Sequence, residues 1–353
     1  MASTLTTALE TYIAEMGGGD GLYATPMQDT FIMRTSRTVM PFRRLYRPAL
    51  CVVAQGAKQL RVGDEVLNYA EGTAVAVTVE VPGNGTVTKA SATEPFLGLT
   101  IDFDPRLLRE VMEQLEAPPT PTDTQLGAFV ETLSEPLLDC MARLVRLLAT
   151  PEAVPILYPA ILKEIYFWLL TGPNGGEVAK IVRSDSHTRR IADAVHFLRQ
   201  NYTRTIRVEE VAEAARMGLS SFHHHFRLIT QFSPLQFQKQ LRLLEARRLM
   251  VAESANVTSA AIKVGYESVS QFSRDYTRQF GTPPKRDAMA LKAVALPNWA
   301  PGLTPIADEL LYRETPAVER VRSPVAFRPT PHVAAAREAG RPEREPALGL
   351  TAP

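Results

Sequence analysis

Cysteine is scarce in this chain: Cys51 and Cys140 are the two in 353 residues. Two thiols make no disulfide framework and suit a reducing cytoplasm. No stretch approaches the roughly 18 consecutive apolar residues of a membrane span. The opening MASTLTTALETYIAEMGGGD lacks the basic flank and apolar core of a signal peptide. A cytoplasmic protein away from membranes is expected. Histidine is missing from residues 1–186, and His332 is the one histidine outside 187–225. The chain also lacks a G-x-S-x-G, a P-loop and a G-x-G-x-x-G in strand–turn–helix context. GGGDG at 17–21 reads as a flexible turn, because no strand or Lys-Ser/Thr accompanies it.

Net charge is also nearly absent, at +1, but the balance hides an asymmetry. Residues 1–186 hold 15 Lys and Arg against 22 Asp and Glu, whereas residues 187–287 hold 16 against 9. An acidic half joined to a basic block of about a hundred residues suggests that the block meets a polyanion. The length predicts two domains with extensions.

From Thr38 to Phe103 the pattern is short β-type runs, among them ALCVVAQGA, KQLRVGDEVLNY and PFLGLTIDF, broken by Gly, Pro, Asp and Asn. That spacing predicts a small antiparallel barrel or sandwich. Helical periodicity follows over 104–171, beginning where Asp104 caps and Pro105 fits the first turn. The leucine-rich SEPLLDCMARLVRLLAT and PILYPAILKEIYFWLLTG are read as helices, one of them either a dimerisation element or packed on the barrel. GPNGGEVAKIVRSDSHT (172–188) reads as a linker. Together these give a sensing and dimerisation domain over 20–180, a linker at 181–188 and a helical domain over 189–290. Ten of the 27 prolines fall in 288–353, so the 291–353 tail is expected to be mostly disordered.

SSFHHHFRLIT (220–230) sets three histidines between two phenylalanines. On a helix, Ser220, His223, His224 and Arg227 share one stripe about 100° wide, with Phe222, Phe226 and Ile229 opposite. A helical metal site needs ligands three or four residues apart, which this run does not supply, so no metal is expected. His225, at the edge of the apolar side, reads as a packed histidine. A shift of fifty residues superposes the stretch on a second one. Phe222 maps to Phe272, Phe226 to Tyr276 and Pro234 to Pro284, and the polar stripe becomes Ser270, Ser273, Arg274 and Thr277. Each copy is a short helix, a tight turn (Met217-Gly218; Gly265-Tyr266-Glu267) and a second helix with a short, polar, basic face. That is the helix-turn-helix layout, in which the second helix offers Ser, Thr and Arg to base edges in the major groove. SPLQFQKQLRLLEARRLMVAE joins the copies and would hold them about one turn of DNA, ~34 Å, apart.

The residues IADAVHFLRQNY, VEEVAEAARMGLSSFHHHFRLITQFSPLQFQKQLRLLEARRLM and AIKVGYESVSQFSRDYTRQFGTPPKRD give 189–287 a close similarity to the DNA-binding domain of the AraC/XylS family of transcription regulators. The N-terminal half, with CVVAQGAKQLRVGDEVLNY, resembles the barrel-like sensor domain of one AraC subgroup. The two resemblances cover about residues 20–290. They imply an α+β two-domain fold: a cupin-like antiparallel β-barrel with helices, then an all-α domain with two helix-turn-helix units on a long helix. They imply double-stranded DNA at a promoter as partner, a small-molecule effector in the N-terminal domain, a homodimer, RNA polymerase as a further partner, and a tilt toward activation. Carried over by position, the DNA contacts are Ser220, His223, His224 and Arg227 in the first copy and Ser270, Gln271, Ser273 and Arg274 in the second. His224 stands where many relatives carry Arg, which makes pH-dependent affinity an expectation.

Some cupins are metal enzymes built on clustered His and Glu. The histidine-free barrel argues against that alternative, an enzyme fused to a DNA-binding domain, so neither catalysis nor a cofactor is expected. Two sensing modes stay open. One is a reversible ligand in an apolar barrel mouth. The other is Cys51 as a thiol sensing an electrophile or oxidant, helped by Lys58 and Arg61, against its reading as a small buried hydrophobe.

Overall fold

The computed structural model describes residues 3–38, 42–120 and 125–293. Its N-terminal half carries ten strands: β1 (Gly21–Ala24), β2 (Thr30–Thr35), β3 (Phe42–Tyr46), β4 (Ala49–Gln55) and β5 (Ala57–Val62). They continue with β6 (Glu65–Ala70), β7 (Thr73–Val77), β8 (Val81–Lys89), β9 (Phe96–Asp102) and β10 (Ala128–Thr132). The larger sheet runs β1-β2-β9-β4-β7-β10 and the smaller β3-β8-β5-β6, every pairing antiparallel. The chain passes from one sheet to the other at several connections, the short β6–β7 turn among them. Three strands lie outside the stretch expected from sequence: β1 and β2 precede Thr38, and β10 follows a helix.

Strand β4 shows why the middle of the larger sheet is an unbroken apolar run. Leu50, Val52 and Ala54 pack toward the helices, while Ala49, Cys51 and Val53 face the space between the sheets. Five helices cover the outer side: α1 (Thr4–Glu15), α2 (Pro105–Gln114), α3 (Glu135–Arg146), α4 (Val154–Thr171) and α5 (Gly175–Ala179). Helix α2 begins as expected, with the Asp104 carboxylate accepting from the Arg106 and Leu107 amides at 2.7 and 3.2 Å. The stretch Pro151–Thr171 is long and apolar enough to cross a membrane by length and composition, which qualifies the expectation that nothing in the chain approaches a span. In the fold it is a packed helix, with Leu162, Ile165, Tyr166, Leu169 and Leu170 buried.

The 172–188 stretch, read from sequence as a linker, is largely built into the fold, with 175–182 buried. Gly175–Ala179 is a buried helix, and Lys180 Nζ donates to Glu177 Oε1 at 2.7 Å with both side chains largely enclosed.

Among the described residues the C-terminal half has seven helices: α6 (His187–Asn201), α7 (Val208–Ala214), α8 (Leu219–Thr230), α9 (Pro234–Ala252), α10 (Val257–Lys263), α11 (Val269–Phe280) and α12 (Pro284–Ala293). They enclose two cores. One gathers Ile191, Leu198, Val211, Phe222, Phe226 and Phe237; the other gathers Met250, Ala260, Val264, Phe272 and Tyr276. Helix α9, at 1.5 Å per residue about 28 Å long, serves both, giving Leu241 and Leu244 to the first and Leu243 and Ala246 to the second. Residues 291–293 of the expected tail end α12, and the rest lies outside the described residues.

The first helical core is closed partly by the β-rich half. Leu45 of β3 and Val79, after β7, are buried in it. Arg199 of α6 pairs with Glu80 at 2.5 Å, and the Gly127 amide, just before β10, donates to the Ile229 carbonyl of α8 at 2.9 Å.

Candidate nucleic-acid interface

The fifty-residue repeat in the sequence is a repeat in space. Helices α8 and α11 are each 12 residues long and begin fifty residues apart. Both end on a left-handed residue, Gln231 (φ 65°) and Gly281 (φ 73°), whose amides close on Arg227 and Thr277 carbonyls at 2.8 Å. The next helix starts with proline in each copy, Pro234 and Pro284. The paired rings repeat too: Phe222 and Phe226 lie 5.3 Å apart at 57°, Phe272 and Tyr276 5.5 Å apart at 56°. In the turns the left-handed residue is Arg216 (φ 53°) in the first copy and Gly265 (φ 85°) in the second. Gly218, expected to make the first turn, is instead extended and precedes α8 as its cap.

Phe222, Phe226 and Ile229 are fully buried, so the opposite face of α8 points outward. On it Ser220, His223, His224 and Arg227 are all exposed. On α11, Ser270, Gln271 and Arg274 are exposed, while Ser273 and Thr277 are half-buried. Thr277 Oγ1 donates to the Ser273 carbonyl at 2.8 Å, which holds that residue to its own helix. The Ser268 hydroxyl caps α11 by accepting from the Gln271 amide at 3.3 Å, leaving the Gln271 side chain in solvent.

Charge sorts these residues from their surroundings. Arg189, Arg204, Arg216, Arg247 and Arg248 each meet a carboxylate within 3.4 Å, and Lys239 meets Asp275 at 2.8 Å. Among the described residues, Arg227 and Arg274 make neither an ion pair nor a side-chain hydrogen bond. The two stripes therefore present unneutralised guanidinium groups beside small polar side chains.

The three consecutive histidines have separate roles in the packing. His223 and His224 sit on the exposed face. His225 is half-buried and stacks on His187 of α6, ring centroids 3.7 Å apart and 15° from parallel. Burial, followed by mutual repulsion and that of His224, holds the His225 imidazole below its ordinary range; burial and then Arg190 and His224 do the same for His187. Sequence placed His225 at the edge of the core but gave no sign of its partner, 38 positions away.

In the N-terminal half Cys51 is 5% exposed between the sheets, its Sγ 4.0 Å from Thr100 Oγ1. Of the two basic residues expected near it, Lys58 is half-buried on the side facing Cys51 and Phe96, and Arg61 faces solvent. The sequence reading missed Arg44, which reaches the same space from β3. The signal was in the alternation of FRRLY: with Leu45 and Tyr46 on opposite sides, one of its two arginines must point inward.

Residues 26–177 match the family model described as the AraC-type transcriptional regulator N-terminus, and residues 211–288 match a helix-turn-helix domain. The regulator ExsA of Pseudomonas aeruginosa is 24% identical over 166 residues, which cover 46% of this chain and 59% of ExsA. The lactose operon transcription activator of Staphylococcus xylosus is 28% identical over 28% of this chain and 36% of that protein. The chain thus aligns with less than two thirds of these relatives. In fold it is similar to Vibrio cholerae ToxT, solved bound to an unsaturated fatty acid: TM-score 0.51 and 11% identity, covering 76% of this chain and 96% of ToxT.

Proposed function

The chain belongs to the AraC-type transcriptional regulators, and from that premise we propose that it is a sequence-specific DNA-binding regulator controlled through its N-terminal domain. The observation that carries the reading is the duplicated stripe: two helices, alike in length, cap and ring packing, each with one unpaired arginine among small polar residues. Ser220, His223, His224 and Arg227 meet one major-groove segment, and Ser270, Gln271 and Arg274 the next. Ser273 stands at the margin. Arginine takes guanine by two parallel hydrogen bonds, and serine and glutamine add contacts to base edges or phosphates.

The β-rich half acts as the sensor and the adjoining helices as the dimer contact. The relatives named above regulate transcription, and ToxT holds a fatty acid, which supports a ligand-responsive N-terminal half. Helix α4 leaves Ile156, Leu157 and Phe167 exposed at 73, 47 and 41%, an apolar surface suited to a second copy. A reversible ligand is favoured over a reactive Cys51 because that thiol is enclosed between the sheets.

A DNase footprint of the purified chain on DNA upstream of its own and neighbouring genes, at about 0.15 M salt, tests the reading. Protection of two segments about one helical turn apart is expected. Uniform, sequence-blind protection at every salt concentration would contradict it.

A further inference from the structure

Deeper in the N-terminal half, two cations stand together without a counter-charge. Arg44 and Tyr46 project from β3 into the space between the sheets, with the guanidinium 4.4 Å from the Tyr46 ring centre. Lys58 enters from β5, its ammonium 5.8 Å from the centre of the buried Phe96 ring. Lys58 and Tyr69 are cross-strand partners, so Tyr69 enters beside it. The Tyr69 hydroxyl is buried without a hydrogen-bond partner, on a residue 4% exposed. The bare backbone of Gly85 on β8 lets the Tyr46 hydroxyl reach this point: a Cβ there would lie 2.0 Å from that hydroxyl and 3.4 Å from Lys58 Cε. Among the described residues, neither Arg44 nor Lys58 pairs with a carboxylate, and Asp102, the acid near Arg44, lies 3.4 Å from Arg47 instead.

Arg44 and Lys58 are half-buried, and holding two such cations side by side against an apolar core is unfavourable unless an anion joins them. The surrounding walls, Val53, Leu60, Val75, Val87 and Phe96, are apolar and at most 2% exposed. We propose that Arg44, Lys58, Tyr46 and Tyr69 form a binding site for a small organic acid, with its carboxylate between the two cations and its apolar body against these walls. The fork of an arginine and two phenolic hydroxyls suit a planar carboxylate. This inference rests on the reading of the N-terminal half as a sensor and names the class of ligand it takes.

The site has a mechanical route to the DNA-binding half. Leu45 lies between Arg44 and Tyr46 on β3 but points the other way, into the core shared with α6, α7, α8 and α9. An acid that draws Arg44 of β3 toward Lys58 of β5 moves the strand that carries Leu45. Regulation then requires the ligand to favour one seating of that strand over another.

The facing groups set the pH response. Burial, and after it the repulsion of Arg44, lowers the Lys58 ammonium to about 8. Tyr46 and Tyr69 are held above the ordinary phenol range by burial, and both stay neutral there; Cys51 completes the surroundings. Lys58 is charged below pH 8 and loses its proton above it, so acid affinity falls as the pH rises past 8.

Thermal unfolding of the full chain with benzoate and octanoate, each set against its neutral amide, tests the proposal. At least one acid is expected to raise Tm saturably by about 3 °C or more, while benzamide and octanamide leave it unchanged. Arg44→Met and Lys58→Met are expected to abolish the shift, and the outward-facing Arg61→Met to keep it. Equal shifts by acid and amide, or none by either acid, would overturn the site; this comparison in the unaltered protein does not depend on how the variants fold. Operator binding, measured on the same samples, separates the two claims: intact DNA binding with no acid response removes only this site.

Discussion

Arg227 and Arg274 make no ion pair and no side-chain hydrogen bond among the described residues, unlike Arg189, Arg204, Arg216, Arg247 and Arg248. An exposed guanidinium held in one place on a helix contributes nothing to folding that a methionine could not replace. Replacing Arg274 with alanine should therefore leave the unfolding free energy within the range of ordinary surface substitutions, about ±0.5 kcal/mol, read by urea unfolding. The same change should cost about 1–3 kcal/mol at a specific site and less on random DNA, read by titrating both duplexes. The stacked pair His187–His225 makes an opposite, structural prediction. Both imidazoles are held below the ordinary 6.5 by burial first. On acidification the unfolded chain takes up protons before the folded one, so stability present above about pH 6.5 is lost as pH falls below it. Melting curves from pH 7.5 down to 5 should show this decline, and His225→Leu should flatten it. A slope unchanged in that variant would assign the decline elsewhere.

At the scale of elements, the two copies solve the same turn with different residues, and the difference predicts their tolerance. Gly265 is left-handed and a Cβ there would lie 1.9 Å from the Thr203 carbonyl oxygen, so Gly265→Ala must displace backbone as well as adopt a strained φ. A loss of at least 2 kcal/mol, about the range for such strain plus a clash, is expected in urea unfolding. Gly281 has nothing within 4 Å of a Cβ, and its counterpart Gln231 already takes φ 65°. Gly281→Asn should cost about 1 kcal/mol or less. Elements were legible from sequence where apolar spacing and caps agreed: the Asp104 start of α2, the twin α8 and α11, and the central strand β4. They were not legible where composition misled. The 172–188 stretch reads as a linker, yet the short α5 is buried because Val178, Ala179, Ile181 and Val182 join the core with Leu169 and Leu170. AFVET follows a Pro/Thr-rich break, and its role as β10 depends on pairing with β7, fifty-odd residues earlier. Arg44 escaped notice for a related reason: charge in a strand suggests a solvated face, and only the opposing sheet encloses it.

For the whole molecule, the joint between the halves is a fold-stabilising contact, and under the proposal above it would also carry a ligand signal toward DNA. Arg199 and Glu80 are each 17% exposed, and the second Glu80 oxygen is already buried without a partner. Removing the arginine leaves that carboxylate enclosed, so Arg199→Met should destabilise by about 3 kcal/mol. With Leu45 and Val79 still in the helical core, unfolding of the variant should remain one transition; calorimetry showing two would mean the halves are joined mainly by the ion pair. The central claim, that one chain reads DNA through two equivalent stripes, is tested most directly by selecting bound duplexes from a random pool with three proteins: the unaltered chain, Arg227→Ala and Arg274→Ala. The account predicts a motif of two segments centred about one helical turn apart, with each variant losing base preference in one segment and keeping it in the other. Loss of both segments together, or of neither, would contradict it.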